Sequence, residues 1–270
     1  MQYAQTDTIL KVENVNVILG GKKILSDINF EVKDIVRPNT TQGQVVCILG
    51  RSGIGKSTLF DTLAGLYSLD SPNSGEIRIG KDLTEVKIGD MGVVFQDYYL
   101  YPHRRLQKIF LLSVQKNPLI AASDRKDLIA QVAEEFELTE HIKKFPGELS
   151  GGQKQRAAIA EQILNGGNFL LLDEPFSGLD VIMIKKVVDL LIKVSLTDEL
   201  KTLFIVSHDL SNSVAISDTV LLLNYKDGNP KNGATIIEHI DLIERDLAWH
   251  KDIKQTESFK KTIKEIESKL

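Results

Sequence analysis

An apolar run, Val45-Val46-Cys47-Ile48-Leu49, passes without interruption into Gly50-Arg51-Ser52-Gly53-Ile54-Gly55-Lys56-Ser57. No other stretch limits the possible folds so tightly. The second segment fits G-x-x-x-x-G-K-[ST] at every defined position, and such a loop sits between a buried strand and a helix whose N-terminus faces bound phosphates. Glycines at 50, 53 and 55 bare the backbone N–H groups and let the loop curl around a phosphate. Lys56 adds a point charge for the β and γ oxygens, and the Ser57 hydroxyl suits Mg2+. A second cradle of bare backbone N–H groups lies farther along at Leu149-Ser150-Gly151-Gly152-Gln153, where a serine and two glycines open a helical pattern.

The rest of the chain sets bounds on where this loop sits. Its 270 residues exceed what a buried core requires, and 33 basic against 37 acidic residues leave a net charge of −4. That balance gives no footprint for a polyanion, so no nucleic acid partner is expected. The longest apolar runs fall far short of the roughly 20 residues that span a bilayer, and the polar start Met1-Gln2-Tyr3-Ala4-Gln5 is not a signal segment. These features predict a cytoplasmic protein. One cysteine, Cys47, lies inside the apolar run and reads as a small core residue.

Strand patterns fill residues 9 to 50, with Ile28, Phe30 and Val32 alternating with polar neighbours. The stretch Asp34 to Gln44 reads as a turn-rich loop. A helix is expected from Thr58 to Gly65, then short strands at Glu76 to Gly80 and Met91 to Phe95. Between Arg104 and Phe145 the period becomes helical, in Leu106, Ile109, Phe110 and Ser113 and again in Ile129, Val132, Ala133 and Phe136. Strands return at Phe169 to Leu172, Thr202 to Val206 and Thr219 to Leu223, with a helix around Ile184 to Val194, an alternation that predicts a parallel sheet with crossovers. Phe259, Ile263, Ile266 and Leu270 form one helical stripe, facing either the chain's own core or a partner.

Three further groups end apolar strands, where ligands bind in parallel sheets. Asp173 and Glu174 close Phe169 to Leu172; Asp173 suits Mg2+, Glu174 suits a base for an attacking water, and a helix-capping pair before Pro175 is the plainer alternative. His208 follows Leu203 to Val206 and suits a contact to the γ-phosphate and the water, or a structural hydrogen bond. Gln96 ends Met91 to Phe95, with its amide oxygen available to Mg2+ or water, or simply buried. Beyond it, Tyr98, Tyr99 and Tyr101 form either a docking surface or a cover for the chain's own core.

Taken together, these residues resemble the ATPase subunit of ABC transporters over about residues 10 to 245. Residues 50 to 57 look like the Walker A motif, Phe169 to Glu174 like Walker B, Gln96 like the Q-loop, Leu149 to Gln153 like the signature motif, Ser177-Gly178-Leu179-Asp180 like the D-loop, and His208 like the switch histidine. The resemblance implies an α/β, phosphate-loop NTPase of ABC-ATPase type: a mixed sheet core, an N-terminal antiparallel β part, an inserted helical subdomain at about 97–160 and a C-terminal helical tail at about 241–270 of a single 1–270 domain. It implies ATP and Mg2+ as ligands. Gly50, Arg51, Ser52, Gly53, Ile54, Gly55, Lys56, Ser57, Thr58 and Gln96 would hold the nucleotide, with Ser150, Gly151, Gly152, Gln153 and Asp180. Ser57, Gln96 and Asp173 would face the metal, and Glu174, His208, Lys56 and Gln96 would catalyse.

In this family the signature motif of one copy faces the γ-phosphate held by another, which implies a head-to-tail dimer, transmembrane permease partners and a place on the inner face of the membrane. Two features depart from the pattern. Many members stack adenine on an aromatic in the early strands, but here the stretch reads Val15-Asn16-Val17-Ile18-Leu19-Gly20, and the Asp34 to Gln44 loop is longer than usual. Glu148 to Arg156 and Leu172 to Asp180 look most like importer ATPases, and the Leu247-Ala248-Trp249-His250 tail is similar to those of the nitrate, sulfonate and taurine group. A lipid or lipoprotein exporter and a soluble iron–sulfur assembly ATPase are the alternatives. Lys56 and Asp173 are too close in sequence for the long coiled coil of a repair motor, and one cassette is too few for a translation-type member.

Overall fold

A strand buried on both faces is apolar along nearly all its length, and the run 45–49 is placed accordingly. The computed structural model describes residues 4–37, 43–195, 201–248 and 252–270. In it two long strands, β1 (Ala4–Leu19) and β2 (Lys22–Val36), pair antiparallel and precede β3 (Gln44–Leu49), which ends at the phosphate loop. There follow α1 (Lys56–Leu63), β4 (Ser74–Ile79), β5 (Thr84–Glu85) and β6 (Gly92–Val94). The helices α2 (Leu106–Lys116), α3 (Arg125–Glu135) and α4 (Gly151–Asn165) come next, then β7 (Phe169–Asp173), α5 (Val181–Ser195), β8 (Thr202–Ser207), α6 (Leu210–Ile216), β9 (Thr219–Asn224), β10 (Thr235–Asp241) and α7 (Glu257–Lys269).

The strands form two sheets. One is antiparallel in the order β2-β1-β4-β5; the other runs β10-β9-β3-β8-β7-β6, parallel except for β10 at its edge. Alternate residues of the central strands divide the core. Val45, Cys47 and Leu49, with Leu170, Leu172, Leu203 and Ile205, face the helices. Val46 and Ile48, with Phe169, Leu171, Phe204 and Val206, face the antiparallel sheet and α1. Each fully buried Val, Leu, Ile or Phe contributes about 1.5–3 kcal/mol, so both faces of β3 anchor the loop that follows it. Burial pushes the Cys47 thiol up to about 12, in keeping with an inert core residue.

The register sets the ends of the strands side by side. Leu49 lies opposite Ser207, Asp173 opposite Val206, and Val94 opposite Leu172. The start of β3 is tied down by a buried pair: Arg37 donates to Asp218 and to the Gly43 carbonyl, while Asp218 accepts the Val45 N–H at 2.8 Å.

Several expected boundaries shift. The helix after the phosphate loop begins at Lys56 instead of Thr58, because the bare loop turns directly into it. The loop expected from Asp34 is shorter: β2 continues to Val36 by pairing with β1 as far as Ala4, Gln44 already belongs to β3, and residues 38–42 lie outside the described residues. Among the described residues of the tail from 241, Asp241 closes β10, turns follow from Leu242 to Asp246, and helical structure is confined to a 3-10 turn at Ile253–Gln255 and to α7. The α7 stripe packs inward: Phe259 and Ile266 are buried, and Ile263 and Leu270 lean on the same cluster. Among the described residues no helix is long and apolar enough to cross a membrane.

Candidate functional site

Gly55 precedes α1 at φ 110, and a Cβ there would press on Ile24 Cγ2 at 3.1 Å, so the loop takes its tight path only with glycine. Lys56 is nearly buried and its ammonium points back into the loop. Nζ donates to the carbonyls of Gly50 at 3.1 Å and Arg51 at 3.2 Å, and Glu174 Oε1 lies 3.4 Å away.

Glu174 is the centre of the arrangement. It follows β7 in the left-handed region, at φ 48, a conformation that a non-glycine residue adopts at a cost of about 1–3 kcal/mol. Its N–H donates to Val206 O at 2.8 Å, which pins the turn to β8. Its Oε2 meets three groups of the neighbouring strand end: His208 Nδ1 at 2.8 Å, the His208 N–H at 3.2 Å and the Ser207 hydroxyl at 3.2 Å. The Ser207 oxygen accepts the Asp209 N–H at 3.0 Å, and the Asp209 side chain caps α6. The register of β7 against β8 therefore brings Glu174 and His208, two of the four residues expected to catalyse, into direct contact. His208 is over half exposed and leans from the surface onto a carboxylate that is largely enclosed.

Asp173 has the environment of a cation ligand. Its Oδ1 is buried without a hydrogen-bond partner. Burial, with the carboxylates of Glu174 and Asp61, pushes its carboxyl up to about 6, while Lys56 and the Ser57 hydroxyl pull the other way. An orphaned carboxylate oxygen beside a hydroxyl fits Mg2+. Among the described residues no group of three His, Cys, Asp or Glu side chains could hold a metal alone.

The remaining expected residues are distributed differently. Gln96 is exposed at the end of β6 and its Nε2 reaches the Ser177 hydroxyl at 3.4 Å. Ser150 caps α4: its Oγ accepts the Gln153 N–H at 3.3 Å and Gln153 Oε1 accepts the Ser150 N–H at 2.9 Å. These two side chains are thus engaged in the cap. The N–H groups of Gly151 and Gly152 remain at the positive end of a four-turn helix, and a Cβ on Gly152 would overlap the Met183 methyl. Asp180 caps α5, accepting the N–H groups of Ile182 and Met183 at 2.9 Å. Among the described residues no hydrogen bond joins Ser150–Gln153 to residues 50–58. One buried side chain, Gln155, links α4 to the site by donating to the Pro175 carbonyl at 2.6 Å. Neither Gln155 nor Ser207 stands out in the sequence, since a strand-end serine and a helical glutamine are common; only the register reveals their partners.

The three tyrosines divide. Tyr98 is half-buried against the helical cluster, and burial pushes its phenol up to about 12. Tyr99 and Tyr101 are 69% and 51% exposed, and with Leu66 and Ile88 they border a groove of about 560 Å3 between α1, β6, α2 and α4.

A phosphate loop after a central parallel strand, with two acids and a histidine at the adjoining strand ends, defines a nucleoside-triphosphate hydrolase of the phosphate-loop class. The comparisons narrow this. The sequence model of the family described as ABC transporter matches residues 34–177. The chain is 33% identical to the glutamate transport ATP-binding protein GluA of Corynebacterium efficiens over 224 residues, 80% of this chain and 87% of the relative. It is 32% identical to the arginine transport ATP-binding protein ArtM of Bacillus subtilis over 238 residues, 83% and 92% of the two chains. Among solved structures, cbiO1 of Clostridium perfringens, part of the ABC transporter complex cbiONQ, superposes with a TM-score of 0.69 at 26% identity over 88% of this chain and 90% of the other. The chain belongs to the ABC transporter family and is an ATP-binding subunit with ATPase activity.

Proposed function

We propose that this chain is the motor subunit of an importer, hydrolysing ATP as a head-to-tail dimer beneath membrane-spanning permease subunits. One observation supports the dimer: among the described residues no hydrogen bond links the two anion cradles of one chain, in keeping with each completing a site on another copy. The relatives reported above are transport subunits, which favours a transporter over a soluble assembly ATPase. The finer branch, the nitrate, sulfonate and taurine group, rests on the residues alone, and Trp249 and His250 of its tail lie outside the described residues.

In the proposed cycle Gly50 to Thr58 enclose the phosphates. A triphosphate competes for the Lys56 ammonium, drawing it from Glu174, and leaves the carboxylate to take a proton from water. His208, bonded to the same carboxylate, orients it. Asp173 and Ser57 would hold Mg2+, which when bound neutralises charge on the phosphate oxygens. Ser150, Gly151 and Gly152 of the second copy would close over the γ-phosphate, giving ATP a differential affinity for the closed dimer. Asp180 and Ser177 would lie at that interface, with Gln96 sensing it through Ser177.

The groove bordered by Tyr99, Tyr101, Leu66 and Ile88 is the proposed seat of the permease, on the inner face of the membrane. A row of exposed apolar side chains there suits a partner helix. The test of the motor itself is Glu174→Gln in sedimentation and turnover assays. ATP binding is retained, hydrolysis falls by about 100-fold or more, and the chain sediments as a dimer with ATP. In the unaltered protein, turnover per subunit rises with concentration; full activity in a dilute monomeric preparation refutes the dimer.

A further inference from the structure

The phosphate loop grips one end of a nucleotide, and the nucleoside must extend into the space beside it. On the side of Gly53 and Ile54 lies a cleft of about 540 Å3, within the size range of small-ligand sites. Its walls are Ile24 at the start of β2, Ile54, and Tyr225 just after β9; the exposed Lys22, Lys23 and Lys231 form its rim. Ile24 also packs against Gly55, so cleft and phosphate loop share a wall.

The cleft is built from fixed segments. The Ala234 N–H donates to Ile24 O and the Ser26 N–H to Ala234 O, both at 2.8 Å, which stitches the β9–β10 connection onto β2. Gly233, at φ 77, lies so close to Leu25 that a Cβ would meet its backbone at 3.2 Å. Asn224 Oδ1 accepts the Tyr225 N–H at 2.8 Å, and its Nδ2 donates to the carbonyls of Lys269 and Leu270 at 2.9 and 3.3 Å. Asn224 thus ties the segment that begins with the Tyr225 backbone to the end of α7. Meanwhile the early strand offers no aromatic side chain between Val15 and Leu19: Val15 and Val17 are buried, and the partly exposed residues are Asn16, Ile18 and Leu19.

An aromatic ring and aliphatic side chains offer faces to a flat ligand, and ammonium groups suit ribose and phosphate oxygens. The side chains lining the cleft include neither a carboxylate nor a carboxamide, the groups that read the edge of a base. Building on the reading of residues 50–58 as a triphosphate cradle, we propose that Tyr225 is the stacking partner of the base and that the cleft accepts adenine and guanine nucleotides alike.

Calorimetry on the full chain with three probes, Mg-ADP, Mg-GDP and Mg-pyrophosphate, tests this. Tyr225→Ala weakens Mg-ADP by about 5- to 100-fold, the range for a lost base–aromatic stack, and leaves pyrophosphate binding unchanged; Tyr225→Phe restores ADP binding. ADP and GDP bind the unaltered protein within a few-fold of each other. In Tyr225→Trp, indole emission changes on adding ADP and not on adding pyrophosphate. Unchanged ADP affinity in a normally melting Tyr225→Ala variant, or an equal loss for pyrophosphate, overturns the stacking role. A strong preference for ADP over GDP overturns selection by stacking alone. Failure of the unaltered protein to bind any of the three defeats the phosphate cradle itself, and is distinguished by the pyrophosphate result.

Discussion

Glu174 carries an unusual burden for one residue. Its backbone sits at φ 48, and its carboxylate gathers His208, Ser207 and Lys56. Strain held at a site by surrounding contacts is a form of preorganisation. The 2.8 Å bond to His208 makes the two side chains one unit. Residues that act as a unit are not additive, so His208→Ala and Glu174→Gln each lower kcat by about 100-fold or more, and the double variant falls little further. Steady-state turnover at saturating Mg-ATP measures this; a double variant as poor as the product of both losses would show that the residues act separately. The sequence named Glu174, His208, Lys56 and Asp173 because motifs with fixed spacing leave few other roles for them. It did not reveal Ser207 or Gln155, whose partners are set by which strand end or turn lies opposite.

At the level of elements, the legible parts were those with the strongest apolar signal. The central strands β3, β7 and β8 read as unbroken runs because both faces are covered. The amphipathic stripe of α7 predicted its buried side. Boundaries were harder: β2 runs through residues with turn propensity because its pairing with β1 outweighs local preference. Glu161 on α4 shows another such hidden feature. It lies in the groove beside Tyr99, accepting from the Ser113 hydroxyl at 3.3 Å, and burial pushes its carboxyl up to about 7, with Lys116 pulling the other way. The folded protein keeps this proton where the unfolded chain, titrating at about 4.3, has lost it. Stability is therefore full below pH 4 and declines as pH rises through 7. Glu161→Gln removes the charged form and relieves about 1–3 kcal/mol at pH 8, a Tm gain of about 2–8 °C that disappears near pH 4. Equal shifts at both pH values in thermal melts would place the effect in packing instead.

For the whole molecule the question is which nucleotide each cradle serves. Lys56 belongs to the phosphate loop and Gly152 to the start of α4. In a two-fold head-to-tail dimer, each composite site takes its phosphate loop from one copy and its glycine cradle from the other. A chain carrying Lys56→Ala and another carrying Gly152→Asp would each be inactive alone. When mixed, one site of the heterodimer collects both defects and the other collects none. Random pairing then yields heterodimers as about half of all dimers, so the mixture regains up to about a quarter of the unaltered turnover if one intact site suffices. If both cradles of one chain bound the same nucleotide, every site in the mixture would remain damaged. Turnover of the mixture, measured against each variant alone at the same total concentration, is the test: recovery establishes the shared sites, and no recovery refutes shared sites that work singly.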